Sequence, residues 1–359
     1  MPSDIEPPDE RRASANVTIY EVAARSGVSI ATVSHALNRP ERVAPTTRRR
    51  ILETAEELGF VPRGRGRAVR TLRRIAVVAP FSTHSTYLQR LLGVLAEAEP
   101  DADVTVIDFP ATDQPTIDRV VGRGPVDGLI IMGAEPTTRL AAELEDSGVP
   151  IVLLDRPSQE YTSVTVDDRR GGALVADHLL EEGVREIAWV SPVPRSSEYV
   201  TNGELRLQGF AQRLREAGFD RKLAFVVCDD SFEGGRAAAA ELLAAEKRPD
   251  GVFALHDIIA AGVVSGLREG GVRVPDDVRV AGYDDVEVAE VFSVTTVRQP
   301  FPESGAAAVE ALRALRANPR RPVSHISLLP ELVVRGSTAT TSPGAADQRG
   351  AGGGGGKPS

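Results

Sequence analysis

Short apolar runs alternate with amphipathic segments through most of this chain, and this alternation constrains the fold more than any other feature. Runs of this length, bounded by turns, are typical of strands that are buried on both faces. Their alternation with helices predicts parallel sheets that are covered by helices on both sides. The predicted strands are 75–79, 104–109, 128–132, 151–154, 187–190, 225–227, 252–255 and 278–281. Helices are predicted between them, among others at 172–182, 204–217 and 233–246.

About eight such strands over roughly 260 residues favour two doubly wound lobes over a single sheet. Sheets of this kind bind ligands beyond the carboxyl ends of their strands. We therefore expect a binding cleft between the two lobes, lined by residues that directly follow the strands.

The N-terminal part of the chain carries a second pattern, in which two short helices flank a glycine-containing turn. Thr18 and Glu21 are spaced as a capping box, which predicts a helix start at this point. Gly27 ends that helix, and Ser29 is a suitable N-cap for a second helix at 30–37. Two helices joined in this way, the second with a polar outer face, predict a helix-turn-helix.

A third helix is predicted at 45–58 and completes this small all-α unit. Pro45 suits its first position, because a proline there loses no helical hydrogen bond. Apolar side chains of the three helices are expected to form the core: Ile19, Val22, Ala23, Val28, Val33, Ala36, Leu37, Ile51, Leu52, Ala55 and Leu58. A three-helix cap on the larger domain is the alternative interpretation of the same pattern.

The charge of the chain is divided unequally, which favours DNA binding by the helical unit. The whole chain has a net charge of −9, yet residues 1–74 hold 14 arginines and 9 acidic side chains, a balance of +5. Residues 75–359 hold 28 basic and 42 acidic side chains. Arginines concentrated beside a helix-turn-helix are suited to contact phosphates, although runs of arginine also occur on ordinary solvated surfaces.

Several classes of function lack their sequence signatures. No apolar run reaches the roughly 20 residues of a membrane span, and the acidic, proline-rich start differs from a signal peptide. The single cysteine, Cys228, fits a reducing compartment, so we expect a cytoplasmic protein. No P-loop, GxSxG or HExxH pattern occurs and the five histidines are scattered, which argues against an enzyme, a cofactor and a metal site.

Long stretches of the sequence resemble the LacI/GalR family of bacterial regulators. The helical unit reads TIYEVAARSGVSIATVSHALN and then RVAPTTRRRILETAEELGFVP, which is similar to the DNA reader of that family. Eight further motifs follow in the order of the family: VDGLIIMG, GVPIVLLDR, VTVDDRRGG, RLQGF, RPDGVFALHD, GVRVPDDVRVAGYDD, TTVRQP and ELVVRGST. The resemblance covers essentially all of residues 17–337.

The resemblance implies a helix-turn-helix domain followed by two doubly wound parallel-sheet lobes of the type I periplasmic-binding-protein kind. The expected parts are a disordered start at 1–16, the reader at 17–60, a hinge at 61–74, a two-lobed domain at 75–337 and a disordered glycine-rich tail at 338–359. Lobe one is expected at 75–166 and 298–321, and lobe two at 167–297 and 322–337.

The resemblance further implies a homodimer that binds a pseudo-palindromic operator, with one recognition helix in each major groove. Residues on or near the base-facing helix are Ile30, Ala31, Thr32, Ser34, His35 and Asn38, and those placed to approach phosphates are Thr18, Tyr20 and Ser29. Ile30 and Ala31 occupy positions that select the operator, and both are apolar. Such side chains can contact thymine methyl groups but cannot hydrogen-bond a base edge.

In the family, the hinge forms a short helix that wedges a leucine into the minor groove. Val69 falls at the position of that wedge in this chain. Gly64 and Gly66 each disfavour a helix by roughly 1 kcal/mol relative to alanine. Three interpretations stay open: a helix that forms only on DNA, an extended segment whose arginines follow phosphates, and a solvated linker.

A small effector lies between the lobes in this family and is held by residues that follow the strands. The matching residues of this chain are His84, Tyr87, Asp155, Arg206, Asp230, His256 and Asp284. The donor fork of Arg206 and the acceptors of Asp155 and Asp284 suit a polyhydroxylated ligand, so we expect a carbohydrate. Tyr87 and Phe232 are the candidates for an aromatic face against the sugar, with simple packing as the alternative for both.

Other interpretations of these residues stay open. Asp230 stands where an aromatic residue is frequent in the family, and His256 replaces a frequent asparagine. The effector could therefore be a nucleoside or another metabolite, or the pocket could be vestigial. Arg206 could form an ion pair between the lobes, and Asp284 could cap a turn.

A sugar-binding transport protein would share the two-lobed fold, but it requires an export signal and has no DNA reader. We expect instead a repressor whose operator affinity is coupled to the effector. The sequence predicts no sign for this coupling.

Overall fold

The computed structural model of the chain describes residues 19–38, 42–58, 72–81, 85–108, 126–136, 138, 141–142, 148–193 and 201–339. The chain divides into two compact units, residues 1–70 and residues 71–359. The predicted disordered start at 1–16 and most of the predicted hinge, 61–71, lie outside the described residues. None of the helices in the described ranges is both long enough and apolar enough to span a bilayer.

Three helices form the first unit: α1 (Ile19–Ser26), α2 (Ile30–Asn38) and α3 (Pro45–Glu57). Gly27 has a positive φ of 65° and ends α1, which confirms the predicted turn of the helix-turn-helix. The buried core consists of Val22, Ala23, Val33, Ala36, Ile51 and Ala55. The prediction for Leu52 was wrong, because α3 turns Ile51 and Ala55 inward and leaves Leu52 on the solvent side.

The second unit contains twelve strands and seven helices within the described residues. The strands are β1 (Arg74–Ala79), β2 (Asp103–Asp108), β3 (Gly128–Met132), β4 (Ile151–Leu154), β5 (Thr162–Val166), β6 (Ile187–Ser191), β7 (Ala224–Val227), β8 (Gly251–Ala254), β9 (Arg279–Ala281), β10 (Thr296–Arg298), β11 (His325–Leu328) and β12 (Glu331–Val333). The helices are α4 (Thr86–Glu97), α5 (Asp168–Glu181), α6 (Asn202–Glu216), α7 (Phe232–Ala244), α8 (Asp257–Glu269), α9 (Glu287–Val291) and α10 (Phe301–Ala317).

Two parallel sheets form the two predicted lobes. The sheet of lobe one has the strand order β11-β5-β4-β3-β1-β2, and the sheet of lobe two has the order β7-β6-β8-β9. Every pairing within these two sheets is parallel. Apolar clusters cover both faces of each sheet, as the near-continuous apolar strands predicted.

The course of the chain near its C-terminus differs from the expected lobe boundaries. β11 pairs with β5, so residues 325–328 belong to the sheet of lobe one, whereas residues 322–337 were expected in lobe two. This edge strand is short and only half-buried, and it therefore lacks the apolar signal of the inner strands. β10 and β12 then form an antiparallel pair of their own.

The folded chain also extends slightly past the expected start of the disordered tail. Thr338 is fully buried, and its hydroxyl lies 2.7 Å from Nε2 of His178 on α5. Residues 340–359 of the predicted tail lie outside the described residues.

A close helix crossing in lobe two positions α6 for the site described below. Gly172 of α5 lies against the backbone of α6, where a Cβ atom would come within 2.0 Å of the Arg206 carbonyl oxygen. Only glycine permits this approach. Asp167 caps α5 by accepting a hydrogen bond from the Arg170 amide at 3.0 Å, and α5 therefore begins at Asp168 rather than at the predicted residue 172.

Candidate functional site

Helix α2 carries the residues that the sequence predicted to face DNA. The Thr32 amide donates to Oγ of Ser29 at 3.1 Å, so Ser29 caps α2 as expected. Val33 and Ala36 anchor the helix in the core of the first unit. His35 is exposed on the same helix, together with Ile30, which is 41% exposed. A large apolar side chain at the exposed start of such a helix is suited to a contact with another molecule.

Tyr20 on α1 is 66% exposed and lies two residues into its helix. Ala31, Ser34 and Asn38 belong to α2, but only their backbone is described. Thr18 and Val69 lie outside the described residues, and so does the predicted capping box of Thr18 with Glu21.

Asp155 lies at the carboxyl end of β4 in lobe one, as the sequence predicted. Its φ of 63° is in the left-handed region, which is uncommon for residues other than glycine. Its carboxylate accepts a hydrogen bond from Arg90 on α4 at 2.8 Å. It accepts a second one, at 2.9 Å, from the side-chain amide of Asn202, the first residue of α6 in lobe two. Asp155 therefore joins the two lobes directly.

Arg206 lies on α6 with its guanidinium buried among acceptors of lobe two. Nε donates to Asp168 at 2.8 Å, and Nη1 donates to the carbonyl oxygen of Leu255 at 3.0 Å. Nη2 lies 3.4 Å from the carboxylate of Asp284. The guanidinium also stacks 3.8 Å from the ring centroid of Tyr283. The fork geometry of arginine thus connects three segments that meet at the strand ends.

Asp284 follows β9 and has a φ of 109°. The side-chain amide of Gln299 donates to its carboxylate at 2.6 Å. Oε1 of Gln299 in turn accepts from Arg90 at 3.2 Å. A continuous chain of polar contacts therefore runs from Asp155 through Arg90, Gln299 and Asp284 to Arg206.

Burial and charge shift the pKa of Asp168, Arg206 and Asp257 at this site. Burial raises the pKa of Asp168 to about 6, while the charge of Arg206 opposes this shift. Burial alone would lower the pKa of Arg206, but the neighbouring carboxylates of Asp168 and Asp284 raise it instead. Burial also raises the pKa of Asp257, and the charge of Asp284 adds to this shift. Arg206 is therefore a permanent cation between the carboxylates of Asp168 and Asp284.

Asp230 and His256 form a second polar contact in lobe two, with 2.7 Å between Oδ1 and Nε2. Both residues lie close to strand ends, Asp230 beyond β7 and His256 beyond β8. Cys228 lies nearby, and burial raises the pKa of its thiol to about 11, helped by the charges of Asp230 and Asp229. The thiol is therefore protonated at neutral pH.

The predicted aromatic candidates occupy packed positions. Tyr87 is buried in the core of lobe one, and its ring centroid lies 5.6 Å from the guanidinium carbon of Arg90. Phe232 packs against Phe292 with 5.5 Å between ring centroids. His84 lies outside the described residues. Within the described residues, no group of three His, Cys, Asp or Glu side chains is arranged to hold a metal ion.

Sequence reasoning missed four residues that complete this network: Arg90, Asp168, Asn202 and Gln299. Gln299 lies within the TTVRQP motif and Asp168 within VTVDDRRGG, so a motif-based search would have found these two. Arg90 gave no such signal, because an arginine in a helix is ordinarily solvent-exposed.

Comparisons with known proteins agree with this architecture. Residues 18–63 match the family model of bacterial regulatory proteins of the lacI family, and residues 176–338 match the model of a periplasmic binding protein-like domain. The chain is 32% identical over 341 residues to the HTH-type transcriptional regulator DegA of Bacillus subtilis, covering 90% of this chain and 98% of DegA. It is 32% identical over 335 residues to the HTH-type transcriptional repressor PurR of Photobacterium profundum, covering 89% of this chain and 98% of PurR.

Solved structures show the same likeness. A complex of the transcriptional regulator CelR with cellobiose matches with a TM-score of 0.63 and 29% identity, covering 90% of this chain and all of that one. A ribose-bound LacI-family regulator from Enterococcus faecium matches with a TM-score of 0.65 and 29% identity, over 74% of this chain and 98% of that one. The lac repressor dimer bound to operator and the anti-inducer ONPF matches with a TM-score of 0.65 and 25% identity, over 91% of this chain and all of that one.

A helix-turn-helix unit joined on one chain to two parallel α/β lobes defines the class: a DNA-binding regulator with a periplasmic-binding-protein-like domain. The length and identity of these matches then settle the particular family. The chain belongs to the LacI family of bacterial transcription regulators.

Proposed function

We propose that this chain is a cytoplasmic repressor whose affinity for operator DNA is controlled by a small effector, a carbohydrate, bound between its lobes. The observation that carries the proposal is the convergence of Asp155, Arg206 and Asp284 at the strand ends of the two lobes. Ligands bind at this edge in open parallel sheets. These side chains offer rigid charged donors and acceptors, which match the paired donor and acceptor character of sugar hydroxyl groups.

The related structures support a sugar. Two of them carry cellobiose and ribose in their descriptions, and both share 29% identity with this chain. A second candidate, an effector other than a sugar, is favoured by the contact between Asp230 and His256. Asp230 stands where an aromatic residue is frequent in the family, and His256 replaces a frequent asparagine.

For DNA recognition, we propose that α2 enters the major groove. Its base-facing residues would be Ile30, Ala31, Thr32, Ser34, His35 and Asn38, with Thr18, Tyr20 and Ser29 near phosphates and Val69 in the minor groove. The exposure of Ile30 supports an apolar contact with a thymine methyl group.

We further propose that the regulator acts as a homodimer. Leu88, Leu92 and Leu95 lie along α4 at helical spacing and are all exposed in the single chain. A stripe of exposed leucines is costly in water unless another surface covers it. The lac repressor relative is a dimer, which makes a second copy of this chain the natural partner.

The experiment that tests the proposed effector is a thermal unfolding panel of mono- and disaccharides, phosphorylated sugars and nucleosides. A ligand at 100 times its Kd should stabilise the protein by about 2.7 kcal/mol. We expect a sugar to raise Tm in the unmodified protein and in Arg213→Met, but not in Asp284→Asn. Arg213 is the control, because it lies on α6 and its ion pair with Asp177 is exposed. A shift with nucleosides alone would favour the second candidate, and a flat panel would contradict the carbohydrate effector.

A further inference from the structure

Arg90 on α4 is 1% exposed, yet it carries a full positive charge inside lobe one. A buried cation is tolerated only when acceptors surround it, since its transfer from water is costly. Its Nη2 supplies two hydrogen bonds, one to Asp155 at 2.8 Å and one to Gln299 at 3.2 Å. Its Nε is buried without a hydrogen-bond partner among the described residues. Such an arrangement costs stability, which suggests a role beyond packing.

The surroundings hold this guanidinium in one place. The ring of Phe301 lies 4.5 Å from the guanidinium carbon, measured to the ring centroid. Gly305 of α10 packs against the backbone of α4, where a Cβ atom would lie 2.0 Å from the Arg90 carbonyl oxygen. The head group therefore has little freedom to follow a moving partner.

The two acceptors of Arg90 lead to different lobes. Asp155 belongs to lobe one, at the end of β4. Gln299 lies between β10 and α10, and its amide donates to Asp284, which follows β9 of lobe two. One buried guanidinium therefore contacts the carboxylate of lobe one directly and the carboxylate of lobe two through a single side chain.

We propose that Arg90 is a positioning residue of the effector site, which holds Asp155 and, through Gln299, Asp284 in one fixed arrangement across the two lobes. This role rests on the proposed function, because it assigns both carboxylates to effector binding. It predicts that loss of the Arg90–Gln299–Asp284 link changes the spacing of the lobes even without effector or DNA.

The test measures the distance between the lobes by double electron–electron resonance spectroscopy on two spin labels. The labels are placed by Asp101→Cys in lobe one and Ala244→Cys in lobe two, both at exposed positions, in a Cys228→Ser background. Labelled chains are mixed with an excess of unlabelled chains, so that only distances within one chain are measured. Arg90→Met is compared with Arg279→Met, which removes another largely buried arginine whose Nε makes no hydrogen bond among the described residues. Its Nε lies 3.6 Å from Glu182, at the amino end of β9 and away from the carboxyl ends of the strands.

We expect Arg90→Met to shift or broaden the distance distribution by more than about 2 Å, while Arg279→Met keeps the distribution of the unmodified protein. Gln299→Glu is the second variant, because it keeps the acceptor for Arg90 but loses the donor to Asp284. It should reproduce the shift, and it carries the test if Arg90→Met does not fold. Unchanged distributions in Gln299→Glu and in any folded Arg90→Met would overturn the proposal. If the variants shift the distance distribution but no ligand of the panel raises Tm, the result would contradict the proposed function and not the link through Arg90.

Discussion

Arg206 and Asp168 form a buried ion pair, in which Nε of the guanidinium lies 2.8 Å from Oδ1 of the carboxylate. The same guanidinium lies 3.4 Å from Asp284, the acceptor proposed for the effector. Arg206 therefore has two roles: it neutralises the charge of Asp168 at the start of α5, and it orients the carboxylate of Asp284. A side chain held in this way is preorganised for ligand binding before any ligand arrives.

The first prediction concerns the stability of lobe two. Arg206→Met leaves Asp168 and Asp284 without their shared cation, and removal of one partner of a buried pair costs roughly 3–5 kcal/mol. Urea denaturation should show a loss of this size. Arg213→Met on the same helix should cost less than about 1 kcal/mol, because its ion pair is exposed. Equal losses in the two variants would contradict the described role of Arg206.

The second prediction concerns pH. Burial lowers the pKa of His178 below its ordinary value of 6.5. The charges of Glu182 and Glu181 oppose this shift, and the charge of Arg279 adds to it. The unfolded chain binds this proton more tightly than the folded chain does. The contribution of neutral His178 to the free energy of unfolding is therefore fully present above pH 6.5, and it is lost as the pH falls through the folded-state pKa.

Thermal unfolding between about pH 5 and pH 8 should therefore show a smaller acid loss in His178→Gln than in the unmodified protein. His325→Gln, at an exposed position of β11, serves as the control for a histidine substitution as such. An acid loss that stays the same in His178→Gln would show that other groups cause it.

The third prediction concerns operator reading. Ile30→Ala removes the exposed apolar side chain proposed to contact a thymine methyl group, and we expect operator affinity to fall about five- to tenfold. The operator is first obtained by selection from random DNA, and binding is measured by fluorescence anisotropy. Replacing the contacted thymine by uracil removes the same contact from the DNA side. When Ile30→Ala and the uracil substitution are combined, their losses of operator affinity should not add, because both remove the same contact. Additive losses at every thymine of the operator would exclude this contact.

The fourth prediction concerns assembly. Leu92→Glu places a charge in the exposed leucine stripe of α4 and should weaken the homodimer by roughly tenfold or more in sedimentation equilibrium. Val291→Glu, at another exposed apolar position on α9, should leave the dimer intact. A dimer that is unaffected by Leu92→Glu would move the interface to a different surface.

The fold could be predicted from the sequence wherever a local signal was strong. The inner strands β3 and β4 have the predicted bounds, because they are apolar throughout and end at turns. The short edge strand β11 was placed in the wrong lobe, because its half-buried residues carry no continuous apolar signal. Strand pairing between residues distant in the chain cannot be deduced from such a pattern.

The candidate site was predictable only in part. Asp155, Arg206 and Asp284 were named from the sequence, and the structure brings them into one polar network. Arg90 was not named, because its burial results from the packing of α4 against α10 and not from its neighbours in the sequence. Buried polar networks depend on such tertiary contacts, which a single sequence does not reveal.

The most direct test of the account is the affinity of the full chain for its selected operator, measured by anisotropy with and without the sugar identified in the ligand panel. Allosteric coupling of roughly 1–3 kcal/mol corresponds to a change of about 5- to 150-fold. We predict a change within this range in the unmodified protein and in Arg213→Met, and its loss in Asp284→Asn. An operator affinity that is the same with every sugar, in a protein that is folded and binds DNA, would contradict the account.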